Sequence, residues 1–231
     1  MPALRGIILD MDGTLIDSND AHARAWLEAM AELGFRPPFH KVRRLIGMGG
    51  DFLIPQAIGI DAESEAGEAI GRRRREIFRE SYLPGLRPFP AVRELVQRMR
   101  AGGFQLVVAS ASKRDELEPM LRAAGVADLV DAVTSASEVA DPKPEPDVLV
   151  AALDKLALTP EQVLMLGDTP YDIEAAEKIG IGVVALCSGG WAANDLAGAV
   201  AVYRDAADLL ARFDSSPFAG GENPPGQNQA R

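Results

Sequence analysis

Cysteine, positive charge and long apolar runs are all scarce in this 231-residue chain. Its one cysteine, Cys187, excludes an internal disulfide and suits a reducing compartment. The expected setting of that thiol is that of a small buried hydrophobe on a strand. Lys and Arg number 24 against 34 Asp and Glu, a formal net charge of −10. That balance disfavours sequence-independent binding to nucleic acid or acidic membranes. The one concentrated basic run, Arg72-Arg73-Arg74-Arg75, has Glu68 and Glu76 as neighbours and reads as the solvated face of a helix. No stretch nears the ~18 apolar residues of a spanning helix, and the chain opens without a basic segment leading into a long apolar run. The expectation is a cytoplasmic protein with no nucleic-acid or membrane partner, and a monomer.

What is present has the composition of an ordinary soluble protein, long enough for one full domain and a smaller insertion. Apolar, β-rich runs recur at Leu4 to Leu9, Gln105 to Ala109, Ala132 to Thr134, Val163 to Leu166 and Val183 to Leu186. Several are apolar nearly throughout, as strands buried on both faces of a parallel sheet are. Helical segments stand between them: Ala91 to Arg100 before Gly102-Gly103, Asp115 to Ala124 before Gly125, and Glu174 to Ile179 before Gly180. Glycine just past the last turn is a usual helix terminator. The alternation predicts an α/β fold with a mostly parallel sheet.

Between the first strand and the second, from about residue 17 to 82, no strand is legible. Ala23, Trp26, Leu27, Met30 and Leu33 recur at helical spacing, as do Ala66, Ala69, Ile70, Ile77 and Phe78. This is too long for a crossover, so residues 17–82 are expected as a helical cap and residues 1–16 with 83–213 as the α/β core. Residues 214–231, rich in Pro, Gly and polar residues, are expected as a disordered tail.

The residues suited to chemistry cluster where strands should end. Ile7-Ile8-Leu9-Asp10-Met11-Asp12-Gly13-Thr14 sets two carboxylates two residues apart after a buried run. In extended chain i and i+2 share a side, so one carboxylate can act as nucleophile while the other shuttles a proton. Ser110 follows Leu106 to Ala109, Lys143 lies in the proline-stiffened Asp141-Pro142-Lys143-Pro144-Glu145-Pro146, and Asp168 follows Val163 to Gly167 with Asp172 four positions on. In open α/β sheets, ligands bind outside the carboxyl ends of strands. Each residue has a plainer reading: Ser110 as a helix N-cap, Lys143 as a solvated loop lysine, Asp168 and Asp172 as helix-start acids.

As a set these residues resemble the haloacid dehalogenase superfamily, specifically its phosphatase-like members with a helical cap after the first strand (the phosphoglycolate phosphatase and β-phosphoglucomutase-like subgroup). The likeness runs from about Arg5 to Phe213 and rests on Asp10-Met11-Asp12-Gly13-Thr14, Ser110, Lys143-Pro144 and Gly167-Asp168 with Asp172. It implies a Rossmann-like sheet of strand order 5-4-1-2-3. It also implies a Mg²⁺-dependent phosphatase acting on a small phosphorylated metabolite through an aspartyl-phosphate on Asp10, with Asp12 as acid and base. Mg²⁺ is expected at Asp10, the Asp12 carbonyl and Asp168, with Asp172 as a further or outlying acid. The phosphate is expected at Ser110, Ala111 and Lys143.

Within that superfamily the sugar-phosphate mutases are the nearest rival. Ser110-Ala111-Ser112-Lys113 is similar to their second motif, and His22 falls where their cap-hinge histidine lies. The position of their cap-loop arginine is Gly50, so hydrolysis is favoured. His22 reads equally as a helix-surface residue. The tip Gly47 to Gly50, with Gly49 and Gly50 as candidate substrate contacts, reads equally as a plain turn between helices. A phospho-receiver or binding module is a more distant alternative.

Overall fold

The computed structural model describes residues 3–139 and 143–220. Its first strand, β1 (Gly6–Leu9), is wholly buried. Four helices follow before the chain returns to the sheet: α1 (Asn19–Glu32), α2 (Phe39–Arg44), α3 (Gly50–Ile58) and α4 (Glu65–Ile77), the last running on through a wider π turn at Phe78–Tyr82. Then come α5 (Val92–Ala101), β2 (Gln105–Ser110), α6 (Arg114–Ala124), β3 (Ala132–Ser135), α7 (Asp147–Leu156), β4 (Val163–Gly167), α8 (Pro170–Glu177), β5 (Gly182–Leu186), β6 (Ala201–Tyr203) and α9 (Ala206–Ala211).

The strands form one parallel sheet in the order β3-β2-β1-β4-β5-β6. Alternate side chains leave its two faces. Ile7, Leu9, Leu106 and Val108 pack with α5, α6 and α9, while Ile8, Val107, Ala109 and Met165 pack with α7 and α8. Covering on both faces is what the nearly continuous apolar strands require. The expected order 5-4-1-2-3 is present, extended at one edge by β6. That strand has only three residues, too few to show a period of two.

Since β1 lies between β2 and β4, the chain leaves the sheet centre in both directions, and a crevice opens past the carboxyl end of β1. The register sets Leu9 opposite Val108 and Leu166, so Asp10, Ser110 and Asp168 emerge together at that end. The helical insertion α1–α4 stands over the same end. Its two connections to the sheet run side by side, with the Asp17 N–H donating to the Arg87 carbonyl at 3.0 Å.

The end of the chain differs from expectation. Phe218 is 1% exposed and packs beside Phe213 at 6.2 Å between ring centroids, so residues 214–220 are held against the sheet unit. One large aromatic in a Pro/Gly-rich run buries enough apolar surface to order its neighbours. Residues 221–231 lie outside the described residues. Cys187 also differs: it stands in a turn just after β5 and is half-buried, not on a strand.

Candidate active site

Asp10 continues the β1 ladder, its N–H donating to the Leu166 carbonyl at 2.9 Å, and the residue is buried. Two residues on, the chain turns at Gly13, where φ is +81°. A Cβ there would lie 2.2 Å from Asp168 Oδ2, so both the positive φ and the close approach require glycine. The turn brings Asp168 against the Asp10 loop. Thr14 Oγ1 donates to Asp168 Oδ1 at 3.1 Å and Asn19 Nδ2 to Asp168 Oδ2 at 3.2 Å.

Lys143 is 1% exposed, so the solvated-loop reading does not hold. Its ammonium donates to Asp10 Oδ1 at 2.5 Å, Asp172 Oδ1 at 2.8 Å and the Ala109 carbonyl at 3.2 Å, which uses all three of its protons. Asp172 combines both of its sequence readings. Its Oδ2 accepts from the N–H groups of Asp168 and Thr169 and from Thr169 Oγ1, as a helix-start acid does, while Oδ1 faces Lys143. One oxygen each of Asp10, Asp168 and Asp172 lies within 4.8 Å of the others.

Asp12 has a different environment from Asp10. Its Oδ1 accepts from Ser18 Oγ at 2.5 Å and His22 Nε2 at 2.7 Å; its Oδ2 accepts from Ser112 Oγ at 3.2 Å and Ser110 Oγ at 3.4 Å. Burial raises Asp10 to about 7, with the charges of Asp172 and Asp12 adding to it and Lys143 opposing. Burial acts upward on Asp12 too, but His22, Ser18 and Arg74 outweigh it and hold that carboxyl below the usual carboxylate range. Asp168 is pushed well up by burial and by the charges of Asp10 and Asp172.

The remaining sequence candidates fall around this centre. Ser110 is fully buried and accepts from the Ser112 N–H at 3.1 Å, whereas the cap position of α6 is Lys113, so the N-cap reading of Ser110 fails. Ala111, Gly49 and Gly50 line a cavity of about 480 Å³ that Asp10 and Asp12 also face, under the helical insertion. The Gly49 N–H donates to the Lys143 carbonyl at 3.3 Å, so the tip between α2 and α3 touches the site. His22 is 3% exposed and stacks on Phe78 at 4.0 Å, which excludes the helix-surface reading.

The basic run departs most from expectation. Arg72 is exposed and Arg73 pairs with Glu32 and Glu76, but Arg74 is buried. Its Nη1 donates to both oxygens of Glu116, at 2.8 and 2.7 Å, and its Nη2 donates to His22 Nδ1. The sequence did hold a signal. Ile70, Arg74, Ile77 and Phe78 share one helix face by spacing, and three of the four are apolar. Ser18, Asn19 and Glu116 also belong to the site's surroundings, and the sequence carries no signal for them, for none sits in a strand-end motif.

No helix among the described residues is long and apolar enough to cross a membrane. Residues 7–186 match the model of a family described as haloacid dehalogenase-like hydrolase. A phosphoglycolate phosphatase of Nitrosospira multiformis is 31% identical over 182 residues, covering 77% of this chain and 80% of that protein. A phosphoglycolate phosphatase of Rhodospirillum rubrum is 30% identical, covering 89% of each. The crystal structure of a hydrolase from Pseudomonas syringae superposes with a TM-score of 0.85 at 27% identity, covering 91% of this chain and 98% of that one. With the strand-end carboxylates, the buried lysine and the sheet order on one side and these likenesses on the other, the chain belongs to the haloacid dehalogenase-like hydrolase family.

Proposed function

We propose that the protein is a Mg²⁺-dependent phosphatase that hydrolyses a small phosphorylated metabolite through an aspartyl-phosphate on Asp10. The observation that carries this reading is the contrast between two carboxylates two residues apart. Asp10 is fixed by the Lys143 ammonium beside two further acids, and Asp12 is gripped by hydroxyls and an imidazole on another side.

The residues fit a divalent cation. Lys143 pairs with Asp10 and Asp172 while Asp168 accepts from the neutral Thr14 and Asn19, so three clustered, buried carboxylates share one ammonium among the described residues. An all-oxygen donor set suits Mg²⁺. Asp10, Asp168 and the backbone carbonyl of Asp12 would hold it. Asp172, whose oxygens already accept from Lys143, Thr169 and backbone N–H groups, would act from outside, and the buried Oδ1 of Asn19, with no partner among the described residues, would add a further oxygen acceptor beside the set. When bound, the ion would offset negative charge on the phosphoryl oxygens.

In the first half-reaction an Asp10 oxygen attacks phosphorus, and the bond from phosphorus to the leaving oxygen breaks. Lys143 keeps Asp10 in place and neutralises charge beside it, and Ser110 Oγ with the Ala111 backbone orients the phosphate. Asp12 gives its proton to the departing alcohol and then takes one from the water that cleaves the aspartyl-phosphate. The donors around Asp12 keep it ionised here, so it must take up a proton from solvent as the substrate binds. A phosphate dianion placed next to it raises its proton affinity. Gly49 and Gly50 form the part of the helical cap nearest the leaving group. The cytoplasm suits the single thiol, and a monomer is the simplest assembly.

The test is phosphate release from p-nitrophenyl phosphate with and without Mg²⁺. Release only with Mg²⁺ supports the reading, and metal-independent release contradicts it.

A further inference from the structure

Glu116 belongs to none of the strand-end motifs, yet it is 1% exposed and lies at the edge of the cavity. It sits on α6, in the sheet unit, and its partner Arg74 sits on α4, in the helical insertion. Both oxygens of Glu116 accept from Arg74 Nη1. A guanidinium carries donors only, so the His22 Nδ1 that meets Arg74 Nη2 must be the acceptor. The one ring proton of neutral His22 is then on Nε2, and it is donated to Asp12 Oδ1 at 2.7 Å. The four side chains make one directed line from α6 to the end of β1, and it passes through the insertion.

The Glu116 pair ties this line to where the insertion sits. A buried carboxylate without a counter-ion is strongly unfavourable, so Glu116 favours the position of α4 that delivers Arg74. Arg74 is held within the insertion itself, its guanidinium lying 5.0 Å from the Phe78 ring and 5.3 Å from the Trp26 ring. We propose that Glu116 is a positioning residue for Asp12, acting through Arg74 and His22, so that the acid–base carboxylate is aligned only when the insertion is seated on the sheet. This rests on the role of Asp12 proposed above.

A leaving group that departs without a proton reports the first step free of Asp12, whereas an alkyl leaving group needs the acid. The experiment compares the first-step rate constant, read in single turnover with enzyme in excess, on p-nitrophenyl phosphate and on an alkyl phosphate that the wild type turns over, phosphoglycolate first. For Glu116→Gln the loss should be roughly a hundredfold on the alkyl ester and under about fivefold on the aryl ester. Arg74→Gln should match it, and the double variant should be no worse than either single one, since both break the same line. Glu116→Asp, which keeps the charge, should recover part of the alkyl activity and serves as the informative variant if the Gln substitution does not fold. Equal losses on both esters, additive losses in the double variant or an unaffected Glu116→Gln would each overturn the inference. A wild type inactive on every ester with Mg²⁺ would instead fail the phosphatase reading itself.

Discussion

Lys143 Nζ lies 2.5 Å from Asp10 Oδ1, a contact between a loop and a strand 133 positions apart in sequence. Neither side chain has appreciable access to water, at 1% and 9% exposure. The same ammonium reaches Asp172 from the start of α8. One lysine therefore neutralises part of two of the converging carboxylates and fixes the orientation of the proposed nucleophile.

Lys143→Met should cost stability as well as activity. Removing one partner of a buried ion pair leaves charge unmatched, worth about 3–5 kcal/mol. Denaturant unfolding in EDTA should show that loss, and added Mg²⁺ should recover part of it. Turnover should stay low in both conditions, since the ion does not replace the donor on Asp10.

Metal-free stability should fall as pH rises through the region between the ordinary carboxyl value and the raised one. Burial, opposed by Lys143, lifts Asp10 from 3.8 to about 7, and Asp168 is raised as well. Across that window the folded protein keeps protons that the unfolded chain has released, so the unfolded state binds fewer and stability declines. Asp12, shifted downward, acts only in more acid solution, and Lys143, shifted upward, only in strongly alkaline solution. Melting temperatures in EDTA should drop from about pH 5 to about pH 7.5, Mg²⁺ should raise them more at the higher pH, and Asp10→Asn should flatten the profile. A profile that rises over the same interval would contradict the burial of uncompensated carboxylates.

Gly13→Ala should damage the site without touching a functional side chain. The residue has φ of +81°, and a Cβ would meet Asp168 Oδ2 at 2.2 Å. Positive-φ strain alone costs about 1–3 kcal/mol, and Asp168 must move to relieve the overlap. Calorimetric titration should show weaker Mg²⁺ binding, with secondary structure retained by circular dichroism.

The main site residues were legible because each ends an apolar strand or lies in a stiff loop beside one. Asp10 and Asp168 follow β1 and β4 and Ser110 ends β2, and a parallel sheet brings such ends together whatever the intervening sequence. The pairing of Arg74 with Glu116 was not legible, since they meet across 42 residues and two separate elements. A run of four arginines reads as surface until the packing of α4 on α1 decides which of them turns inward. Phe218 and β6 were missed for the same reason: their order comes from the surface they pack on, not from their own pattern.

Asp12→Asn should separate the two half-reactions. It retains Asp10, Lys143 and the acidic cluster but removes the group proposed to activate water. Rapid mixing with p-nitrophenyl phosphate and Mg²⁺ should give a burst of nitrophenol close to one equivalent per active site, followed by a slow steady state.

The most direct measurement is mass spectrometry of that variant, quenched in acid during the burst and digested. The account predicts one phosphoryl group on the peptide that contains Asp10 and none in a companion Asp10→Asn protein, which should also lack turnover. Phosphoryl label on another residue, or normal hydrolysis by Asp10→Asn, would contradict it.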